Sequence, residues 1–328
     1  MKRRAFLYGS LCATLAAPRA GEAQPAEKVY RIGCLGSTTA STAPHLLQAF
    51  RQGLRDLGWV EDRDLVIEYR WAEGRLDRLT DLAADLVRLG VDVIVSAGTP
   101  GPHAAKHVTR VIPIVMMAAG DPVASGLVVS LARPGGNVTG LSLMAPELGG
   151  RRLELLKETV PGLLRVGVLW NSYSLYPRLV MRETEMAAPT LGIQLESLEL
   201  RVPEDLDKAF EAALLRQVGA LMTVEDSLTV THRARIVDFA AQSRLPAIYG
   251  FTEFVDAGGL MMYGADLRAL FRRSATYVDQ ILKGAKPADL PIERPTKFEL
   301  IINRKTARAL GLTISPSLLR RADQVIDQ

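Results

Sequence analysis

The chain alternates short apolar runs with amphipathic helical segments, and this alternation limits its possible folds more than any other feature. The run at 91–99, VDVIVSAGT, is continuous and largely β-branched, as in a parallel strand covered by helices on both faces. The segment at 75–90, RLDRLTDLAADLVRLG, places leucines at helical spacing and ends at Gly90. Similar alternation runs through 29–121 and again through 151–250. The sequence therefore predicts an α/β protein with two doubly wound parallel-sheet lobes.

Length and composition agree with two globular domains. The chain has 328 residues, of which 48% are hydrophobic, so each domain has enough apolar side chains for a core. The formal net charge is +4, and much of it comes from the basic residues within 1–23. The remainder contains no cluster of Lys and Arg interleaved with aromatic residues. We therefore expect no nucleic-acid partner.

The amino terminus resembles an export signal. MKRRAFL is a basic start, AFLYGSLCATLAA is apolar, and GEA ends at Ala23 with the small residues of a cleavage site. Arg3 and Arg4 followed by Phe6-Leu7 resemble the twin-arginine pattern, and a general secretory signal with two arginines is the alternative. Either signal over 1–23 predicts a periplasmic protein.

Candidate ligand-binding residues follow the predicted strands. In open parallel sheets, ligands bind beyond the carboxyl ends of the strands. The strand ends of the first lobe are rich in hydroxyls and glycine: Ser37, Thr38, Ser96, Ala97, Gly98, Thr99, Ala119, Gly120 and Asp121. Those of the second lobe carry acids, an amide and an aromatic ring: Asn171, Glu225, Asp226, Tyr249 and Gly250. We expect the two sets to face each other across a cleft and to bind a small polar ligand.

Charge assigns provisional roles within these sets. Helix amino termini predicted after Thr99 and Asp121 would offer N–H groups to a carboxylate. Glu225, Asp226 or Asp121 would hold an ammonium group. Tyr249 would stack on an apolar or aromatic part of the ligand.

The same residues also have structural interpretations. Asp121 precedes Pro122, which suits a helix N-cap followed by proline at the first helical position. The second-lobe acids also fit solvated loop residues, and Ser96 and Thr99 also fit hydroxyls that close a turn.

Sequence motifs for catalysis are missing. The chain has no G-x-x-x-x-G-K-[ST], G-x-S-x-G or H-E-x-x-H, and Gly33 and Gly36 do not complete G-x-G-x-x-G. His103 and His107 lack a cysteine or acid at metal-ligand spacing, and Cys34 is expected to be a buried, inert thiol. We therefore predict a binding protein with no catalytic residue, cofactor or metal. A secreted α/β enzyme that uses the strand-end acids is the alternative from another class.

Five long phrases occur in a family-specific order. They are GLRDLGWVEDRDLVIEYRWAEG (53–74), AADLVRLGVDVIVSAGTP (83–100), IPIVMMAAGDPVASGLVVSLARPGGNVTGLS (112–142), RLELLKETVP (152–161) and ILKGAKPADLPIERPTKFELIINRKTARALGL (281–312). Together with the export signal, these phrases resemble the ABC transporter substrate-binding proteins of the tryptophan/tyrosine-binding type. The resemblance covers nearly all of the chain after the signal.

The resemblance implies a type I periplasmic-binding-protein fold, in which three crossover segments join the lobes. It places 28–145 and 258–285 in the first lobe, 146–257 and 286–328 in the second, and crossovers near 142–150, 250–258 and 285–297. In such receptors, hydroxyls after the third and fourth strands of the first lobe bind the ligand carboxylate. Ser96 and Thr99 match the earlier position, whereas the later one at 118–121 has no hydroxyl.

The function implied is that of a periplasmic receptor for a small solute. We expect a monomer that binds an amino acid or related carboxylate by hinge closure and passes it to an ABC permease in the membrane. A receptor that feeds a signalling protein is the alternative among binding proteins.

Overall fold

The computed structural model describes residues 28–143 and 147–327. The predicted export signal at 1–23 lies outside the described residues, so its type stays a prediction. None of the helices in the described ranges is long and apolar enough to cross a membrane.

The first lobe is built on a five-stranded parallel sheet in the order β2-β1-β3-β4-β5. Its strands are β1 (Tyr30–Gly36), β2 (Leu65–Trp71), β3 (Val93–Ala97), β4 (Ile114–Ala119) and β5 (Val138–Ser142). Three α-helices connect them: α1 (Pro44–Asp56), α2 (Leu79–Arg88) and α3 (Pro100–Val108). The central strands β3 and β4 are continuous apolar runs because helices cover both faces of the sheet.

The second lobe contains a seven-stranded sheet in the order β12-β11-β10-β9-β8-β6-β7. Its strands are β6 (Arg165–Asn171), β7 (Gln194–Leu200), β8 (Ala220–Thr223), β9 (Ala247–Tyr249), β10 (Met261–Ala265), β11 (Phe298–Asn303) and β12 (Gln324–Ile326). The remaining α-helices are α4 (Leu148–Thr159), α5 (Leu175–Ala187), α6 (Asp205–Leu215), α7 (Ser227–Thr231), α8 (Arg233–Gln242), α9 (Thr252–Asp256), α10 (Leu267–Leu282), α11 (Arg304–Ala309) and α12 (Pro316–Arg321). Strand β11 runs antiparallel to β10, so this sheet is mixed and not wholly parallel.

Helix α10 follows β10 of the second sheet along the chain, but it packs on α1 of the first lobe. Its buried residues Phe271 and Ala275 join the same apolar cluster as Phe50 and Leu54 of α1. Gly53 permits this close approach, because a Cβ there would lie 2.5 Å from the carbonyl oxygen of Arg272 and 2.8 Å from the Cβ of Ala275.

The strand before α10 belongs to the second lobe, which corrects one predicted boundary. Strand β10 pairs with β9 and β11, so the assignment of all of 258–285 to the first lobe is wrong for this strand. The chain crosses between the lobes at Asp266, between β10 and α10, and not within 250–258. The apolar run of β10 fits a strand in either sheet, so its sequence pattern does not identify the lobe.

The segment 286–293 was predicted in the second lobe, but it runs beside β5 of the first. Ile292 donates its N–H to the carbonyl oxygen of Leu131 at 2.8 Å, and the carbonyl oxygen of Glu293 accepts from the N–H of Ser142 at 2.9 Å. The third crossover therefore follows Glu293. The first crossover joins Leu143 to Glu147, and its residues 144–146 lie outside the described ranges.

Gly53→Ala tests the packing of α1 on α10. Alanine favours an isolated helix by up to about 1 kcal/mol, but overpacking costs about 1–3 kcal/mol. We expect the free energy of unfolding, measured by chemical denaturation, to fall by about 1–2 kcal/mol because packing outweighs propensity. Gly136→Ala is the control, because a Cβ at Gly136 meets no atom within 4 Å. A Gly53→Ala variant as stable as the control would contradict the close approach.

Candidate ligand-binding site

A cavity of about 400 Å³ lies between the carboxyl ends of the two sheets. This volume is within the range of about 300–1,000 Å³ that is usual for small-molecule sites. Nine of the predicted residues line it: Ser37, Thr38, Ala97, Gly98, Thr99, Gly120, Asn171, Glu225 and Asp226. The two sets of strand ends therefore do face each other across a shared space.

Ser96 and Tyr249 do not line the cavity. The Ser96 hydroxyl is buried and donates to the carbonyl oxygen of Leu35 at 2.7 Å. The Tyr249 side chain is 1% exposed and stacks on Phe254, with ring centroids 4.7 Å apart. Successive strand residues point to opposite faces, and these two side chains point into the layers between sheet and helices. The prediction that these two side chains face the cleft is therefore wrong.

Three other predicted residues support the cavity from outside its lining. Ala119 is fully buried in the first-lobe core. Gly250 leaves space for the carboxylate of Glu225, which a Cβ would overlap. The Asp121 carboxylate accepts from the N–H groups of Val123 and Ala124, both at 2.9 Å. It caps a series of turns over 122–126 and not the predicted helix, so no helix amino terminus follows it.

Thr99 lies in the wall where α3 begins. Its hydroxyl oxygen accepts from the N–H of Gly120 at 3.2 Å, which leaves the hydroxyl proton available to another acceptor. The helix offers fewer donors than predicted, because Pro100 and Pro102 have no N–H and Gly101 is the one donor among its first three residues. The Thr99 hydroxyl is therefore a stronger candidate for a carboxylate than the helix terminus.

Glu225 forms a buried ion pair with Arg152. Its two oxygens accept from Nη1 and Nη2 of Arg152 at 2.7 and 2.8 Å, and the side chains are 3% and 0% exposed. Tyr176 donates its phenol to the same carboxylate at 3.1 Å. Burial and the Glu225 charge raise the pKa of Tyr176 well above its usual value. Glu225 is thus neither a solvated loop acid nor an unpaired charge, although it lines the cavity.

Asp226 and Asn171 form a polar pair at the ends of β8 and β6. One Asp226 oxygen accepts from the N–H of Thr229 at 3.0 Å, as part of a capping box on α7. The other accepts from the amide of Asn171 at 2.5 Å. Burial raises the pKa of Asp226 above its usual value, in opposition to these hydrogen bonds. Both oxygens already have partners within the second lobe.

Glu253 is an acid of the wall that the sequence analysis missed. It lies on α9, is 5% exposed, and its Oε2 atom is buried without a hydrogen-bond partner. Its Oε1 atom lies 3.8 Å from Nε2 of His45, which belongs to α1 in the other lobe. Burial raises the pKa of Glu253 above its usual value. The sequence feature that could have identified Glu253 is its position three residues beyond Gly250, at the end of a predicted strand.

Large apolar side chains form much of the remaining wall. They come from α1, β2, β4, α10 and the segments after β5 and β9: Leu46, Leu47, Trp71, Met117, Leu143, Phe251, Leu267 and Phe271. Trp71 packs directly on the backbone of Gly36, where a Cβ would overlap the indole ring. The cavity therefore combines a few polar groups with extended apolar surface, as binding sites for small molecules commonly do.

The described residues contain no group of three or more His, Cys, Asp or Glu placed to hold a metal ion. Cys34 is buried, and burial raises the pKa of its thiol to about 12. The thiol therefore stays protonated and inert, as predicted.

Comparisons with known proteins extend across both lobes. The model of the ABC transporter substrate binding protein family matches residues 42–326. A Tyrosine-binding protein of Clostridioides difficile (strain R20291) is 26% identical over 265 residues, which cover 81% of this chain and 76% of the relative.

Two similar solved structures are an ABC domain from Streptococcus pneumonia in complex with L-Trp and a conserved domain protein from Vibrio cholerae. Each is 28% identical, has a TM-score of 0.85, and matches 91% of this chain and 100% of the other. These matches confirm the predicted type I periplasmic-binding-protein fold. They also confirm the prediction of a substrate-binding protein and not an enzyme. With its family match spanning both lobes and the cavity between them, the chain belongs to the ABC transporter substrate binding protein family.

Proposed function

We propose that the protein is the extracytoplasmic receptor of an ABC importer and binds a large hydrophobic or aromatic amino acid between its lobes. The observation that carries this proposal is the cavity of about 400 Å³, whose largely apolar wall includes Glu253 with its unpartnered Oε2 atom. The tyrosine-binding relative and the similar structure with L-Trp support this ligand class. The export signal predicted over 1–23 supports the location.

The ligand ammonium group is assigned to Glu253. Glu225 is neutralised by Arg152, and Asp226 already accepts hydrogen bonds at both oxygens. The Oε2 atom of Glu253 has no partner, and a buried unpaired acceptor is costly. A charge-assisted hydrogen bond from an ammonium group would remove that cost.

The ligand carboxylate is assigned to the first lobe. The Thr99 hydroxyl has a proton to donate because its oxygen already accepts from Gly120. An amino acid held by Thr99 and Glu253 would bridge the two lobes, since these residues follow β3 and β9.

Hinge closure is the mechanism that this arrangement favours. The lobes meet where Gly120 lies against Tyr176 and where His45 approaches Glu253. A ligand that contacts both lobes binds the closed form better than the open one and shifts the population toward it. The closed form would then dock on the permease and release the ligand. One chain supplies both walls, so a monomer suffices.

Glu253→Gln tests the ammonium assignment by calorimetry on the mature protein. We expect affinity for L-Trp, L-Tyr or L-Phe to fall by about 10- to 100-fold, because the ion pair with the ligand ammonium becomes a hydrogen bond to a neutral amide oxygen. Glu154→Gln is the matched control, because Glu154 pairs with Arg151 on the surface. Indole-3-propionate, which lacks the amine, should bind Glu253→Gln and Glu154→Gln with equal affinity. Stabilisation by sugars or metal cations, and by no amino acid, would contradict the proposal.

Affinity should also fall as the pH is lowered. Burial raises the free-state pKa of Glu253 above its usual value, and the neighbouring Asp256 raises it further. Ammonium binding favours the ionised carboxylate, so affinity is full above this pKa and decreases by up to about tenfold per pH unit below it. Glu253→Gln should remove this dependence in calorimetric titrations.

His45 faces Glu253 and is the control for that experiment. Burial lowers the pKa of His45. Protonated His45 would repel a ligand ammonium group, so its titration would also lower the affinity as the pH falls. His45→Gln should keep the part of the dependence due to Glu253. Equal pH profiles for wild type and Glu253→Gln would contradict the assignment.

Gly120→Ala tests closure. A Cβ at Gly120 would lie 2.7 Å from the Cβ of Tyr176 and 3.0 Å from the Thr99 hydroxyl oxygen. We expect weaker binding and a smaller decrease in the radius of gyration on ligand addition, measured by small-angle X-ray scattering. Gly136→Ala, with open space around its Cβ, should behave as wild type. A Gly120→Ala protein that compacts fully would show that this contact does not limit closure.

A further inference from the structure

We propose that Trp71 and Ser37 form a specificity subsite for an aromatic side chain that carries a polar atom, such as a phenol or an indole. This inference rests on the proposed function, and it adds the groups that separate one class of amino acid from another. Both residues line the cavity and belong to adjacent strands or their ends.

The Trp71 ring is held in one place by its neighbours. Trp71 pairs with Gly36 in the register of β2 on β1, and the absence of a side chain at Gly36 lets the indole lie against the backbone. The Tyr69 ring is nearly parallel to it, at an interplanar angle of 9° and a centroid distance of 6.0 Å. A ring already fixed in position loses little conformational entropy when a ligand stacks on it.

Ser37 places an unpartnered hydroxyl in the same cavity wall. Its side chain is 6% exposed, and its Oγ atom is buried with no hydrogen-bond partner. The backbone here is fixed to the end of β2, because Gly36 and Ser37 accept from the N–H groups of Ala72 and Gly74, both at 2.9 Å. The main chain of Ser37 therefore keeps its position relative to Trp71.

These two features together select a ligand chemistry. A planar ring can stack on Trp71, whereas a branched aliphatic side chain cannot. The Ser37 hydroxyl can accept from an indole N–H or exchange a hydrogen bond with a phenol. A phenyl ring would leave that buried hydroxyl unpaired, which is unfavourable.

Calorimetry with L-Trp, L-Tyr, L-Phe and L-Leu tests the subsite. We expect wild type to bind L-Trp or L-Tyr at least about tenfold more tightly than L-Phe. Ser37→Ala should reduce this ratio to near one without weakening L-Phe. Trp71→Leu should weaken the three aromatic ligands by about tenfold or more and leave L-Leu nearly unchanged.

Trp170→Leu is the matched control for Trp71→Leu, since the Trp170 indole bonds to Ser197 and does not line the cavity. If the leucine variant fails to fold, Trp71→Phe takes its place; it keeps a stacking ring and should retain the preference for aromatic ligands.

Of the three tryptophans, all in the described ranges, Trp71 is the one that lines the cavity. In a Trp59→Phe, Trp170→Phe protein, L-Tyr should therefore change the emission of Trp71.

Two results with variants would overturn the subsite. One is a Ser37→Ala protein with the wild-type ratio of L-Tyr to L-Phe affinity, and the other is a Trp71→Leu protein that loses affinity for L-Leu as much as for L-Trp. If wild type binds L-Leu as tightly as L-Trp, the subsite proposal is contradicted but the proposal of amino-acid binding is not. Wild type that binds none of the four would overturn the proposed function as well.

Discussion

The buried ion pair between Arg152 and Glu225 organises the second lobe's side of the cavity. Arg152 joins α4 to the end of β8 and also donates to the carbonyl oxygen of Tyr263 on β10 at 2.8 Å. The same carboxylate accepts from Tyr176, whose Cβ approaches Gly120 across the cleft. Removing either member of such a pair leaves a buried charge and costs about 3–5 kcal/mol. The wall thus depends on a charge that is already satisfied within the protein.

The lobes supply different kinds of side chain to the cavity wall. The first provides hydroxyls and a fixed aromatic surface, and the second provides carboxylates. Because Glu225 and Asp226 are paired within their own lobe, Oε2 of Glu253 is the carboxylate oxygen without a partner among the three acids that line the cavity in the described ranges. This division fits the proposed ligand, which is polar at one end and planar at the other, and would link its recognition to the proposed approach of the lobes.

Much of the fold could be predicted because its signals are local, whereas the site depends on orientation. Buried strands such as β3 are continuous apolar runs, and α1 and α10 have apolar faces at helical spacing. The lobe that receives β10 depends on a distant pairing that its own residues do not specify. Ser96 and Thr99 are equally plausible in sequence, yet backbone direction buries the first and exposes the second to the cavity. Glu253 was missed because the prediction stopped at the strand end.

The segment beside β5 has a mechanical consequence for the hinge. Glu293 is hydrogen-bonded through its backbone to Gly140 and Ser142, so the chain entering the third crossover lies against the chain leaving for the first. An isolated parallel β-bridge between Leu141 and Glu293 joins these two stretches of chain. For the proposed closure we therefore expect the first and third crossovers to bend from the same edge of the first lobe.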